Sequence, residues 1–170
     1  MKIDSWQKLE DAIGAVLKEK QRVSQTFFQR FYDTKSAGNA LPNQPSDFLA
    51  IHKGSTHYIE AKFSAVNDSL RSCFSSAVDA NQIASARLAH RAGARYWIIF
   101  YSAPSKHFEV WPGLYCAERR AAGRPLDLSQ RQLFKTVDEA ILLGVLNNYT
   151  KRGTEKHGER LTLHRPTHGS

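Results

Sequence analysis

Asp47, Glu60 and Lys62 are the residues of this chain whose types and spacing point most directly to chemistry. Two carboxylates offer hard oxygen donors to a divalent cation such as Mg2+. A lysine ammonium beside them can steer a water or help deprotonate it. That is equipment for hydrolysing a phosphodiester. Successive side chains of a strand point to opposite faces, so Glu60 and Lys62 share a face while Ala61 points away. If the strand carrying Asp47 pairs with the one carrying Glu60, the carboxylates converge with the lysine beside them. Ile59 and Phe63 flank the motif with apolar groups, and charges that close to a core need partners. The plain alternative is a same-face Glu60–Lys62 ion pair, which is weak when exposed.

Other groups can complete such a site. The backbone carbonyl of Ala61 can serve as a further metal oxygen, because its side chain leaves the site. Glu10 lies one turn from Trp6 and Ile13 on a helical pattern, so it can point along the edge of a buried face, whereas Asp11 points towards solvent. A solvated helix face is the alternative for Glu10. Gln82 falls on the helix after the acidic strand and can hydrogen-bond a water or phosphate, or simply face solvent.

The elements that must position these groups can be read in outline. Trp6, Leu9, Ile13, Val16 and Leu17 recur at helical spacing, which predicts an amphipathic helix over 5–20, capped by Asp4 or Ser5. Residues 22–33 are rich in aromatic and β-branched types and read as a strand. Thr34 to Ser46 reads as a loop, on its Gly, Pro and Asn content. Asp47 to His52 and Thr56 to Phe63 read as a hairpin turned by Lys53-Gly54-Ser55. Residues 64–76 are ambiguous, with Leu70 and Phe74 at helical spacing. Residues 79–91 predict a helix packed through Ile83, Ala84, Ala86, Leu88 and Ala89 and stopped by Gly93. Tyr96 to Tyr101 reads as a strand covered on both faces, and His107 to Trp111 as another. Pro112 opens a short helix. Thr136-Val137-Asp138-Glu139 is a capping box leading into a helix through Leu146. The order predicts an α/β fold with a mixed central sheet flanked by helices, and a helical connection that permits a parallel crossover. One domain over 1–150 is expected, followed by a basic, disordered tail over 151–170.

The 170 residues are 41% hydrophobic, enough for a core, and carry a net charge of +8, which favours a polyanionic partner such as nucleic acid. Two distant cysteines, Cys73 and Cys116, make neither a disulfide framework nor a zinc site. The expectation is a protein of a reducing cytosol, with no signal peptide and no membrane partner; the longest apolar run, Tyr96 to Tyr101, is too short to span a bilayer. The tail histidines His157, His164 and His168 do not form a convincing metal site.

Pro45-Ser46-Asp47 followed by Glu60-Ala61-Lys62 resembles the PD-(D/E)XK nuclease superfamily, with one serine inserted between the proline and the aspartate. Within it the chain most resembles the RecU-type Holliday junction resolvases, through Asp47-Phe48-Leu49-Ala50-Ile51-His52-Lys53-Gly54, Tyr58-Ile59-Glu60-Ala61-Lys62, and Asn81-Gln82-Ile83 leading to Gly93 and the apolar strand. The resemblance covers Trp6 to Leu114. It implies a restriction-endonuclease-like fold and a homodimeric endonuclease that uses Mg2+, with Mn2+ as substitute, to nick four-way DNA junctions in pairs. It implies that Asp47 and Glu60 bind metal, with Ala61 and Glu10 completing the set. Lys62 then positions the water and phosphate, and Gln82 supports the site. Such resolvases carry a segment that enters the junction centre; here that is Arg30 to Ser46, with Arg30, Tyr32 and Lys35 as DNA contacts. Lys53, Arg71, Arg87 and Arg91 are further candidates for DNA phosphates. Small size and the short segment suit a phage or mobile-element version, acting in a bacterial cytosol or infected host cell. A general repair or restriction-like nuclease or exonuclease would use the same site, and a non-cleaving nucleic-acid-binding module is the third reading.

Overall fold

Apolar residues at helical spacing give the first helix one buried stripe, Leu9, Ala12, Ile13, Val16 and Leu17, and the rest of the fold is arranged to cover it. The computed structural model describes residues 2–31 and 44–147. Helix α1 spans Trp6–Val23 and is capped by Ser5, whose side chain accepts from the Lys8 N–H. Strands β1 (Thr26–Arg30), β2 (Phe48–His52) and β3 (Ser55–Ser64) follow. Then come helices α2 (Leu70–Ala77) and α3 (Ala80–Arg91) and strands β4 (Arg95–Ser102) and β5 (His107–Pro112). Helix α4 (Gly113–Ala121), a 3-10 turn (Leu128–Gln130), strand β6 (Gln132–Phe134) and helix α5 (Val137–Glu139) complete the order. Helix α5 passes directly into a π-helix over Ala140–Leu146.

The strands form one six-stranded sheet in the order β1-β2-β3-β4-β5-β6. Strands β3 and β4 run parallel, and the other neighbouring pairs are antiparallel. The fold is therefore α/β with a mixed central sheet and flanking helices. A parallel pair needs a long crossover, and α2 with α3 supplies it. Strand alternation divides the core. Phe48, Ala50, Ile59, Trp97 and Ile99 face α1 and the π-helix. Tyr96, Ile98, Phe100 and Trp111 face the opposite layer with Leu70, Phe74, Ala86 and Cys116. Each fully buried Leu or Ile contributes about 1.5–3 kcal/mol relative to exposure.

Four local outcomes differ from the sequence reading. Helix α1 runs on through Val23 because Ser24 closes it, its backbone N–H and its hydroxyl both donating to the Lys20 carbonyl; strand β1 is shorter for that reason. The ambiguous stretch 64–76 holds α2, capped by Ser69 in a capping box with Ser72. Strand β6 pairs with β5 although its three residues carry too little pattern to read. Trp6 and Leu88 lie outside the core, 51% and 58% exposed, because the buried stripe of α1 begins one turn after Trp6 and α3 packs through Ala86 and Ala89. Tyr32, Lys35, most of the Arg30–Ser46 segment and the 151–170 tail lie outside the described residues.

The hairpin between β2 and β3 turns through Lys53 and Gly54 with φ of 48° and 77°, the left-handed pair that a tight two-residue turn requires. Among the described residues no helix is long and apolar enough to cross a membrane. Cys73 and Cys116 are free thiols, pushed up by burial to about 11 and about 12, so both are poor nucleophiles.

Gly113 opens α4 hard against β4. A Cβ there would sit 2.5 Å from Tyr96 Cδ1 and 2.9 Å from the Tyr96 carbonyl oxygen. Gly113→Ala should cost about 1–3 kcal/mol of stability, read as a fall in the urea midpoint, and should disturb the site through Tyr96, described next.

Candidate active site

The β2–β3 ladder pairs Phe48 with Ile59, and continuing that register by one step sets Asp47 opposite Glu60. The two acids meet where the ladder ends. Beyond Phe48, the edge of β3 is taken over by a side chain: Asp47 Oδ2 accepts from the Ala61 N–H at 2.7 Å. The N–H and C=O of one strand residue lie on the same edge, so the Ala61 carbonyl faces the side of β3 that Asp47 occupies. The Asp47 carbonyl accepts from the Phe31 N–H at 2.8 Å, which ties the residue to the end of β1 as well.

Glu60 is buried, 6% exposed, on the α3 face of the sheet. Its Oε1 lies 2.9 Å from Lys62 Nζ, one full strand repeat away on the same face, and also accepts from Gln82 Nε2. Its Oε2 accepts from the Tyr96 hydroxyl at 3.3 Å. Gln82 is held in turn by the N-terminus of α3. Its Oε1 accepts from the Asp79 N–H at 3.1 Å, and its own N–H donates to Asp79 Oδ1 at 2.9 Å. The helix cap therefore doubles as the mount for a residue that contacts the buried acid. Tyr96 stacks on Tyr58, ring centroids 6.4 Å apart, and its hydroxyl also lies 2.9 Å from the Pro45 carbonyl.

Glu10 reaches the site from α1. Arg30 grips it at 2.6 Å and grips Asp11 at 2.7 Å, with the guanidinium over the Phe48 ring at 5.8 Å. Glu10 is 14% exposed at its side chain and Asp11 is 62% exposed, as their helical positions imply.

The electrostatics are those of crowded acids. Burial, then the Glu60 charge, pushes Asp47 up to about 7, against the Ala61 N–H, Lys62 and Arg30. Burial holds Glu60 above the usual carboxylate range despite Lys62 and Tyr96. Glu10 is raised by burial, with the Asp47 charge adding to it and Arg30 opposing. Tyr96 is raised by burial and then by the charges of Glu60 and Asp47, so its hydroxyl stays a donor. Acids held this far up lack positive charge, and a divalent cation is the group that would relieve them.

The structure thus brings together Asp47, Glu60, Ala61, Lys62 and Gln82, and sets Glu10 beside them through Arg30. It does not bring Lys53 there: that residue turns the hairpin at the end of β2 remote from Asp47. Arg71, Arg87 and Arg91 are exposed on α2 and α3. Among the described residues no group of three or more His, Cys, Asp or Glu side chains is placed to hold a metal. A cation here would take the two carboxylates, a backbone oxygen and water, a set that suits Mg2+, which keeps several waters. Tyr96 and Asp11 were not singled out from the sequence. The Asp79-x-x-Gln82 spacing is a capping signal and could have shown that Gln82 is fixed; nothing local marks Tyr96, which reads as one more apolar strand residue.

No family model and no curated protein matches the chain. Among solved structures it is similar to Hjc, a Holliday junction resolvase from the archaeal hyperthermophile Archaeoglobus fulgidus, at 14% identity, with 62% of this chain and 77% of that chain covered and a TM-score of 0.42. At that similarity the likeness decides nothing about activity.

Proposed function

We propose that this chain is a Mg2+-dependent DNA endonuclease that hydrolyses phosphodiesters at the Asp47–Glu60–Lys62 site, with Mn2+ able to substitute. The observation that carries this reading is the meeting of two acids at the end of the β2–β3 ladder, Asp47 pushed up to about 7 and Glu60 raised, with Lys62 Nζ 2.9 Å from Glu60. A purely structural ion pair would be better served by one acid. A site that only bound phosphate would be better served by none. The donor oxygens of Asp47, Glu60 and the Ala61 carbonyl would hold the cation. When bound, it would offset charge on the phosphoryl oxygens and lower the pKa of a water.

The chain's own residues do the rest. Gln82 and Tyr96 fix the Glu60 carboxylate from two sides, so that it cannot turn away from the site. Lys62 supplies a positive charge next to the acids, suited to a phosphate oxygen or the attacking water. The Ala61 N–H locks Asp47 in place by one oxygen and leaves the other for ligation. The net charge of +8 favours a polyanionic substrate.

Within that class the substrate we propose is the four-way junction, cut by a homodimer that nicks two strands, in the manner of the RecU-type resolvases that the motif order resembles. One observation favours a broader nuclease as the second reading. Arg30, a residue of the segment that would enter a junction, has its guanidinium engaged with Glu10 and Asp11. The test is incubation with labelled junction, linear duplex and single strand, with Mg2+ and with EDTA. Paired symmetric nicks on the junction alone, abolished by EDTA, are expected. Cutting of all three substrates would support the broader nuclease, and binding without cutting would remove the enzymatic reading.

A further inference from the structure

On the α1 face of the sheet lie two histidines that the hydrolytic site does not use. His57 is fully buried and His52 is 8% exposed, and Nε2 of each is buried without a hydrogen-bond partner among the described residues. Strand register pairs His52 with Ser55 and His57 with Ala50, so the two rings are diagonal neighbours on one face, with Cβ atoms about 7–8 Å apart or somewhat less.

Their hydrogen bonds fix which nitrogen carries each proton. The Trp97 indole can only donate, and its Nε1 lies 3.1 Å from His57 Nδ1. Nδ1 therefore accepts, and neutral His57 carries its proton on Nε2. From the other end, the Ser24 hydroxyl donates to the Lys20 carbonyl at 2.8 Å, so its oxygen accepts from the Thr26 hydroxyl at 2.8 Å. With its proton committed, Thr26 Oγ1 accepts from His52 Nδ1 at 2.7 Å. Neutral His52 thus carries its proton on Nδ1 and presents a bare Nε2. The two orphaned atoms are complementary, one donor and one acceptor. A metal does not suit them, because the proton on His57 Nε2 occupies the lone pair a metal would need.

We propose that one internal water accepts from His57 Nε2 and donates to His52 Nε2, closing a one-way relay from Trp97 through His57, His52, Thr26 and Ser24 to the end of α1, and that this relay is an acid-sensitive latch. It ties together α1, β1, β2, β3 and β4; three of these carry Glu10, Arg30 and Glu60, and Asp47 immediately precedes β2. A polar site with two complementary partners is what a buried water requires. Protonation of His52 removes the acceptor for the water's hydrogen and adds a positive charge in a buried site, so the link from water to His52 is lost. Among the described residues the charges that bear on the pair are cationic: Lys20 of α1, Lys53 of the hairpin turn and Arg95 of β4. Burial holds both rings below the ordinary histidine range, His57 at about 4. The unfolded chain takes up these protons near pH 6.5 and the folded chain does not, so the contribution of this pair to stability falls as pH drops below about 6.5, opposite in sign to that of Asp47.

The test is nitrogen-resolved NMR of the histidine rings in the full-length chain at pH 7.5, followed by acid titration. Expected are a proton on His57 Nε2 with a contact to a long-lived water, a proton on His52 Nδ1, and no titration of either ring near pH 6.5. A proton on His57 Nδ1, an ordinary titration of either ring, or no water contact at His57 Nε2 would overturn the relay. For the latch, urea midpoints at pH 7.5 and 5.5 are compared between wild type and a His52→Gln/His57→Gln double variant. The double variant is expected to fare better on acidification than the wild type, since Asp47 contributes alike to both and only the wild type bears the histidine cost; equal changes in the two would overturn it. Should the variant not fold, the wild-type titration still decides.

Discussion

Asp47→Asn is expected to lower Mg2+-supported cleavage on the order of 10^3-fold or more while DNA affinity changes by about threefold at most. The variant should keep its fold, because an asparagine carbonyl oxygen can still accept from the Ala61 N–H that Asp47 Oδ2 holds at 2.7 Å. What it loses is one of two anionic donors. Glu60→Gln should behave alike, since a glutamine oxygen can replace the acceptor that Lys62 and Gln82 share. DNA affinity is expected to hold, because removing a negative charge from a site facing phosphates does not weaken attraction. Single-turnover cleavage and filter binding on the same preparations separate the two effects. Cleavage by either variant at the wild-type rate would show that the reaction occurs elsewhere on the chain.

The parts of this arrangement legible in sequence are those fixed by short-range rules. Turn residues Lys53-Gly54 and alternating apolar residues specify the hairpin, and the hairpin register places Asp47 against Glu60. Helical spacing sets Glu10 half-inward and Asp11 outward. The illegible parts depend on contacts between elements distant in the chain. The Tyr96 hydroxyl reaches Glu60 and Pro45 only because β4 lies parallel to β3. Arg30 could be read as a DNA contact because its partners, Glu10 and Asp11, lie on another element altogether. Strand β6 went unread because three residues cannot display a period. The histidine relay lies in the same class: each ring looks unremarkable until the register of four strands puts Thr26, His52, His57 and Trp97 on one face.

Without metal the acid pair is a source of instability, and Asp47→Asn should make the apoprotein more stable at pH 8. Asp47 sits at about 7 in the folded chain against an ordinary value of 3.8. The folded state therefore holds a proton that the unfolded state has already released, and the Asp47 contribution to wild-type stability falls as pH rises through about 7. Roughly three pH units at 1.4 kcal/mol each set a ceiling of about 4 kcal/mol; with solvent screening of a partly exposed carboxylate, about 2 kcal/mol is the realistic gain for the neutral variant. The advantage should be present at pH 8 and shrink towards nothing only below pH 3.8, where Asp47 becomes protonated in both states. Urea midpoints of the two proteins across that range measure it. Mg2+ should reverse the order: it stabilises the wild type by binding the folded state and does little for the variant. A variant less stable than wild type at pH 8 without metal would mean that the ionised carboxylate of Asp47 is itself net stabilising in the folded apoprotein, a structural acid rather than a ligand kept waiting for its cation.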